Sequence, residues 1–265
     1  MKFQTLLFWL LAPLFLISCI QEKTTPVSIQ PGPDILRVGM TTNAPPVAYR
    51  KDGKITGLEV DFAEGLARFS GRKLHIVEMK WEDLIPALLD KKIDIIMSSM
   101  TITPARQYRI AFSTPYMISG QVMLVRRPEL ARYANGFSDL LNPAVRIGTV
   151  KATTGDLLIR EKINRGNCFS FQNPVQGVRA LIDNKIDVFV YDLPMNFYFA
   201  AENEINGLAP VIIPLTREQI AWGMRKDDIK LRQTANAYLT ELKTNGQLKD
   251  KLIHWIPFFK NVFNR

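Results

Sequence analysis

The segments ALLDKKIDII (residues 87–96) and ALIDNKIDVF (residues 180–189) are two copies of one local plan. Six of the ten positions are identical, at an offset of 93 residues (87 to 180). Each copy reads as the end of an amphipathic helix, a short charged turn and a buried strand. A weaker match lies upstream, where Leu36-Arg37-Val38-Gly39 parallels Val145-Arg146-Ile147-Gly148. Helical patterns follow both, over Leu58 to Arg68 and Gly155 to Ile163. Each half therefore reads strand, loop, helix, strand, helix, strand, and alternating βαβ units predict parallel-rich sheets flanked by helices. The expected architecture is α/β with two similar lobes. At 265 residues the chain is long enough for both.

In open α/β sheets a ligand sits beyond the carboxyl ends of the strands. In the first half that position is Ser98-Ser99-Met100-Thr101, and adding 93 to Ser99 reaches Asp192 in the second. Both loops are expected to face a common cleft. Thr103-Pro104 suits a helix start, with Thr103 as the N-cap. Arg106 then lies in the first turn, where the helix dipole favours an anion over a cation. A cation placed there invites an anionic partner, and the planar guanidinium fork suits a carboxylate. A surface ion pair with a neighbouring Asp or Glu would serve Arg106 equally well. Asp192 could accept bonds from an ammonium group, could cap the helix beginning at Leu193-Pro194, or could do both. An arginine and an aspartate from opposing lobes would match the two ends of an amino-acid zwitterion.

The N-terminus has the look of an export signal. Met1-Lys2 supplies a positive charge, and Leu6 to Ile17 is almost wholly apolar. A dozen apolar residues are too few for a membrane span of roughly 20 but fit a signal-peptide core. The run ends in Leu16-Ile17-Ser18-Cys19, which resembles the bacterial lipobox, with Cys19 as the lipidated residue. Residues 1–18 are expected to form the signal peptide. Residues 19–33, with Pro26, Pro31 and Pro33, are expected to form a tether holding the chain to a membrane through the lipid. With Cys19 so used, only Cys168 remains, and its alternating strand context predicts a buried, inert thiol.

The formal net charge is +9, without an Arg/Lys block interleaved with aromatics, so nucleic acid is not an expected partner. The two histidines, His75 and His254, have no Cys or carboxylate at metal-ligand spacing, and no nucleophile elbow or phosphate loop occurs. Neither a cofactor nor an enzymatic activity is expected.

The pieces LRVGM (36–40), GLEVDFAEGLA (57–67), the long block from Trp81 to Val125 containing SSMTITPAR, IGTVKATTG (147–155), KIDVFVYD (185–192) and WGMRKDD (222–228) occur in that order. Together they resemble the extracellular solute-binding proteins that deliver polar amino acids to bacterial ABC importers. The resemblance runs from about Ile35 to Trp255.

It implies a type II periplasmic-binding-protein fold with two crossover strands, near Gly120 to Arg126 and Gln219 to Arg225, and hinge closure. Lobe one would comprise residues 34–122 and 223–265, and lobe two residues 123–222. Arg106 would grip the ligand carboxylate, helped by Thr101, the backbone of Ser99 and the amides around Thr153 and Thr154. Asp192 would hold the ammonium, and Trp81 would form a platform for the ligand side chain. The implied partners are a small amino acid and the membrane subunits of an importer, with the protein itself a monomer.

In the first loop Thr41, Ala44 and Val47 stand where binders of basic amino acids often carry an acid and aromatics. That departure argues against a basic ligand. Lys151 and Tyr191, flanking the cleft, would instead favour an acidic or amide side chain. The resemblance also admits a dehydratase of the cyclohexadienyl or arogenate type, with Asp192 or Glu59 as its acid, and a ligand-sensing partner of a membrane receptor.

Overall fold

The structure is a computed structural model that describes residues 34–163 and 166–263. The expected signal peptide, the tether and Cys19 lie outside the described residues.

Two mixed sheets form the frame. The first carries the strands Lys73–Glu78, Ile35–Met40, Ile95–Thr101, Glu218–Met224 and Ala111–Phe112 in that order, with Met117–Ser119 also pairing Glu218–Met224. The second carries Cys168–Phe171, Ile147–Val150, Val188–Asp192, Gln121–Arg126 and Leu208–Pro210. In each sheet the first three strands are parallel and the fourth runs antiparallel to them. The fourth strand is the one the chain uses to cross over, so each lobe takes its fourth strand from a crossing. A small antiparallel sheet, Asn43–Ala44, Ala48–Lys51 and Lys54–Thr56, follows the first strand of lobe one.

The sequence repeat is a structural repeat down to single hydrogen bonds. Arg37 donates its backbone N–H and Nε to Asp94 Oδ2 (3.0 and 3.1 Å) and Nη1 to the Lys91 carbonyl (2.7 Å). Arg146 makes the same bonds to Asp187 Oδ2 (2.9 and 3.0 Å) and to the Asn184 carbonyl (2.7 Å). Lys91 and Asn184 both turn the chain with positive φ, 59° and 56°. Asp94 and Asp187 sit one residue before the strand in each copy, where each carboxylate ties a helix–strand turn to the neighbouring strand.

The crossings fall earlier than the expected boundaries at 122/123 and 222/223. Met117–Ser119 belongs to the first sheet and Gln121–Arg126 to the second, so the outgoing link is Gly120. Leu215 N–H still bonds the Gln121 carbonyl (2.8 Å), whereas Glu218 already pairs with Ser119. Both crossover strands pair along most of their length with the sheet they enter, which leaves short links at Gly120 and Thr216-Arg217. The two links touch there. A Cβ on residue 120 would lie 2.1 Å from the Thr216 carbonyl oxygen, so glycine permits the close approach.

Each lobe has its own apolar core. In lobe one Trp222 is fully buried, stacked on Tyr238 (centroids 6.1 Å apart) and edge-on to Phe62 (5.5 Å). Tyr238 belongs to the helix Ile229–Thr244, which with Gln247–Trp255 returns to this lobe. Cys168 is half-buried at the edge of the second lobe's core, less enclosed than its alternating pattern suggested.

Candidate functional site

The strand Ile95–Thr101 is buried along its whole length and ends at the cleft. Ser99 turns with φ 55°, and its N–H donates to Glu59 Oε1 at 2.7 Å. Glu59 opens the helix Leu58–Phe69 and also accepts from Tyr116 Oη (2.6 Å) and Trp222 Nε1 (3.0 Å). Burial pushes the Glu59 carboxyl up to about 7, against the pull of those three bonds. Glu59 is thus a brace that holds the turn at Ser99. Because the Ser99 N–H is committed to it, Ser99 brings no amide donor to a ligand carboxylate, contrary to the role implied for its backbone.

Arg106 is placed as its sequence context predicts. Thr103 Oγ1 caps the helix Pro104–Arg109 by accepting from the Arg106 N–H at 3.2 Å. The side chain is only 9% exposed. Nη1 donates to the Thr101 carbonyl at 2.8 Å, and the guanidinium lies 5.1 Å from the centre of the Trp81 ring. Burial lowers its pKa, and the charges of Asp192 and Glu218 oppose that shift. A guanidinium stays charged throughout such a range, so the cleft holds a buried cation.

The second lobe supplies the opposite charge. Thr153 caps the helix Thr154–Lys162, accepting from the Asp156 N–H at 3.3 Å. Asp192 occupies the N-cap position of Leu193–Glu202, yet its side chain makes no capping bond. Its carboxylate instead accepts from Gln121 Nε2. Burial, then the Glu218 charge, push the Asp192 carboxyl up to about 7, against the Gln121 bond and the Arg106 charge.

Gln121 Nε2 also donates to Thr154 Oγ1 (3.0 Å), Thr154 Oγ1 donates to Glu218 Oε2 (3.0 Å), and Thr101 Oγ1 donates to the same oxygen (2.6 Å). A continuous chain of hydrogen bonds thereby joins Asp192 in one lobe to Thr101 in the other. Gly155 makes room for it, since a Cβ there would lie 2.5 Å from Gln121 Oε1.

One enclosed gap between the lobes is lined by Trp81, Ser99, Thr101, Arg106, Thr153, Thr154 and Asp192, along with Thr41, Ala44, Ser98, Tyr191 and Met195. The gap is about 20 Å³, room for about one water, so a larger guest enters only when the lobes part. Closure is held by a bond from Trp81 Nε1 to the Ala152 carbonyl at 3.0 Å.

Lys151 does not line the gap. It pairs with Glu82 at 3.6 Å on the rim, half exposed, because the positive φ of Ala152 (61°) turns the chain between Lys151 and Thr153. Gln121 and Glu218 escaped the sequence reading. The available signal for Glu218 was a carboxylate at an inward position of a strand that alternates until Ala221.

Residues 36–258 match the family described as bacterial extracellular solute-binding proteins, family 3. This chain belongs to that family. A probable histidine-binding protein of Campylobacter jejuni is 29% identical over 204 residues, 76% of this chain and 78% of its own length. Among solved structures, the arginine-bound form of truncated ArgBP from T. maritima is 33% identical with a TM-score of 0.71, covering 79% of this chain and 96% of that one. A putative binding component of an ABC transporter from Wolinella succinogenes, complexed with lysine, is 29% identical with a TM-score of 0.80, covering 84% and 96%.

The fold is therefore the two-lobed α/β architecture expected. The protein is a periplasmic or extracellular solute-binding component with a ligand-delivery role for an importer. The expectation of a non-basic ligand is overturned: most of the similar proteins are named for, or hold, arginine, histidine or lysine. That expectation rested on the first loop, where Thr41 stands in place of an acid and Ala44 in place of an aromatic, while Glu218 of the returning crossover strand holds its carboxylate against the Thr101 and Thr154 hydroxyls that line the gap.

Proposed function

We propose that the cleft captures a basic L-amino acid by its two charged ends and closes over it for an ABC importer. Arg106 takes the carboxylate and Asp192 the ammonium, with Thr101, Thr153 and Thr154 completing the polar lining. The observation that carries the reading is Glu218. With Asp192 and Arg106 matched to the two ends of a zwitterion, Glu218 leaves one negative charge over, shared by hydroxyls from both lobes. Inside a water-poor cleft such an excess favours a guest with one extra positive charge. The names of the similar proteins point the same way.

Calorimetric titration with arginine, lysine, histidine, glutamine and glutamate tests this. One of the three basic amino acids should bind at least a hundredfold tighter than glutamate, and Glu218→Gln should shrink that ratio. Tightest binding of glutamate or glutamine, or a ratio unmoved in E218Q, sinks the proposal.

Two finer points belong to the same reading. Cys19 carries the lipid that tethers the protein to a membrane, so Cys19→Ala should release it from the membrane fraction. The cleft binds without turnover, so ligand recovered after prolonged incubation should be chemically unchanged by mass spectrometry.

A further inference from the structure

A second concavity, about 460 Å³, opens on the flank of the cleft. Three pieces of chain wall it: Pro46 and Tyr49 of lobe one, the helix Leu193–Glu202 of lobe two, and His254–Phe258, which follows the returning helices. Its character is aromatic. Tyr49 faces Tyr198 with ring centres 5.8 Å apart and planes at 52°, and Phe197 faces Phe258 at 4.4 Å and 44°. Trp255 and the carboxylate of Glu202 complete the lining. Glu202 lines the same wall as these rings, and burial, then its charge, push the Tyr198 hydroxyl up to about 12.

The faces of aromatic rings carry negative electrostatic potential and attract cations, above all weakly hydrated organic ones. An anion would meet both the ring faces and Glu202. A neutral apolar molecule would gain nothing from Glu202. A small, strongly hydrated ammonium would have to shed its water against apolar walls. The lining fits a bulky cation whose charge is spread over carbon, and the volume lies in the range of small-molecule sites, about 300–1,000 Å³.

Both ring pairs join a residue of one lobe to a residue of the other. Parting the lobes pulls Tyr49 from Tyr198 and Phe258 from Phe197, so the cage exists only in the closed molecule. We propose that this groove is a second binding site, for a methylated or otherwise alkylated organic ammonium, and that its occupant stabilises the closed lobes. By reciprocity of linked equilibria, closure around an amino acid then strengthens the groove, and the groove's occupant strengthens retention of the amino acid.

Choline and its neutral isostere 3,3-dimethyl-1-butanol separate charge from shape. Each is titrated into the mature protein while the indole N–H resonance of Trp255 is followed by NMR. Choline should shift that resonance saturably, with a midpoint on the order of millimolar or below, and the alcohol should bind at least tenfold more weakly. The exposed Glu202 can be changed without disturbing a core, and Glu202→Gln should weaken choline about tenfold with an unchanged circular dichroism spectrum. Saturating choline should tighten whichever of arginine, lysine or histidine the main cleft takes by at least twofold. Equal binding of choline and the alcohol overturns the assignment, as does displacement of choline by the amino acid or a Trp255 resonance that choline leaves unmoved.

Discussion

Trp81 of the first lobe donates its indole N–H to the Ala152 carbonyl of the second at 3.0 Å, and the same ring carries the Arg106 guanidinium 5.1 Å from its centre. One side chain thereby touches both the ligand-gripping cation and the opposite lobe. Trp81→Phe keeps a ring under Arg106 but deletes the bond across the cleft. A net hydrogen bond is worth about 0.5–1.5 kcal/mol, so affinity should fall about 2- to 12-fold. Stopped-flow traces should place the loss in faster release, because the bond forms only after closure.

Arg106 itself should be indispensable. Truncating one partner of a buried charge pair costs about 2–5 kcal/mol, so Arg106→Ala should weaken amino-acid binding from about thirtyfold to several thousandfold. Arg106→Lys should not restore it, since an ammonium lacks the two-pronged geometry for a carboxylate. Calorimetry measures the loss, and a retained thermal transition shows that the fold survives.

Affinity should depend on pH through Asp192. Its carboxyl is held up at about 7 in the closed cleft. A ligand ammonium favours the charged carboxylate and lowers that value, so binding releases a proton and strengthens as pH rises. Below about 7 the affinity for arginine or lysine should fall by up to about tenfold per pH unit. Above that it should level off. Asp192→Asn should bind weakly and without this slope between pH 5 and 8.

Glu59 links pH to stability in the opposite direction. Its carboxyl is raised from 4.5 to about 7 by burial, so the folded state holds a proton that the unfolded chain has lost. The resulting stabilisation is complete below about 4.5 and disappears as pH rises through about 7. The melting temperature of the ligand-free protein should therefore drop between pH 4.5 and 7.5. Glu59→Gln should lessen that drop without abolishing it, because the Asp192 carboxyl, raised to about 7 in the same way, contributes a fall of the same sign; differential scanning calorimetry reads the difference.

Lys151→Ala should matter little. The ion pair with Glu82 spans the lobes at 3.6 Å, but both side chains are substantially exposed, and such pairs contribute about 0–1 kcal/mol. A loss of more than about fivefold in affinity would contradict its place on the rim.

The two-lobed plan was legible because duplication leaves its mark wherever the same turn must be built twice. Asp94 and Asp187 are fixed by identical demands, which is why the match around them is the strongest in the chain. Thr103-Pro104 announced its helix because capping is local chemistry, and the Thr103 side chain caps as expected. Lys151 was misread because adjacency in sequence says nothing of direction once Ala152 takes a positive φ. Gln121 and Glu218 were hidden for a different reason. Each lies next to a crossing link, and its bonding partners, Thr154 and Asp192 for Gln121 and Thr101 and Thr154 for Glu218, are far from it in sequence.

The double crossing also sets an order of assembly. The second sheet is complete once Leu208–Pro210 has been made, but the first waits for Glu218–Met224, the strand that separates Ile95–Thr101 from Ala111–Phe112. The lobe begun first is therefore finished last. A chain emerging from its N-terminus must keep the unfinished edge of Ile95–Thr101 unpaired while an entire second lobe passes by. The interval in which this protein is most vulnerable to misassociation is thus written into the routing of its backbone.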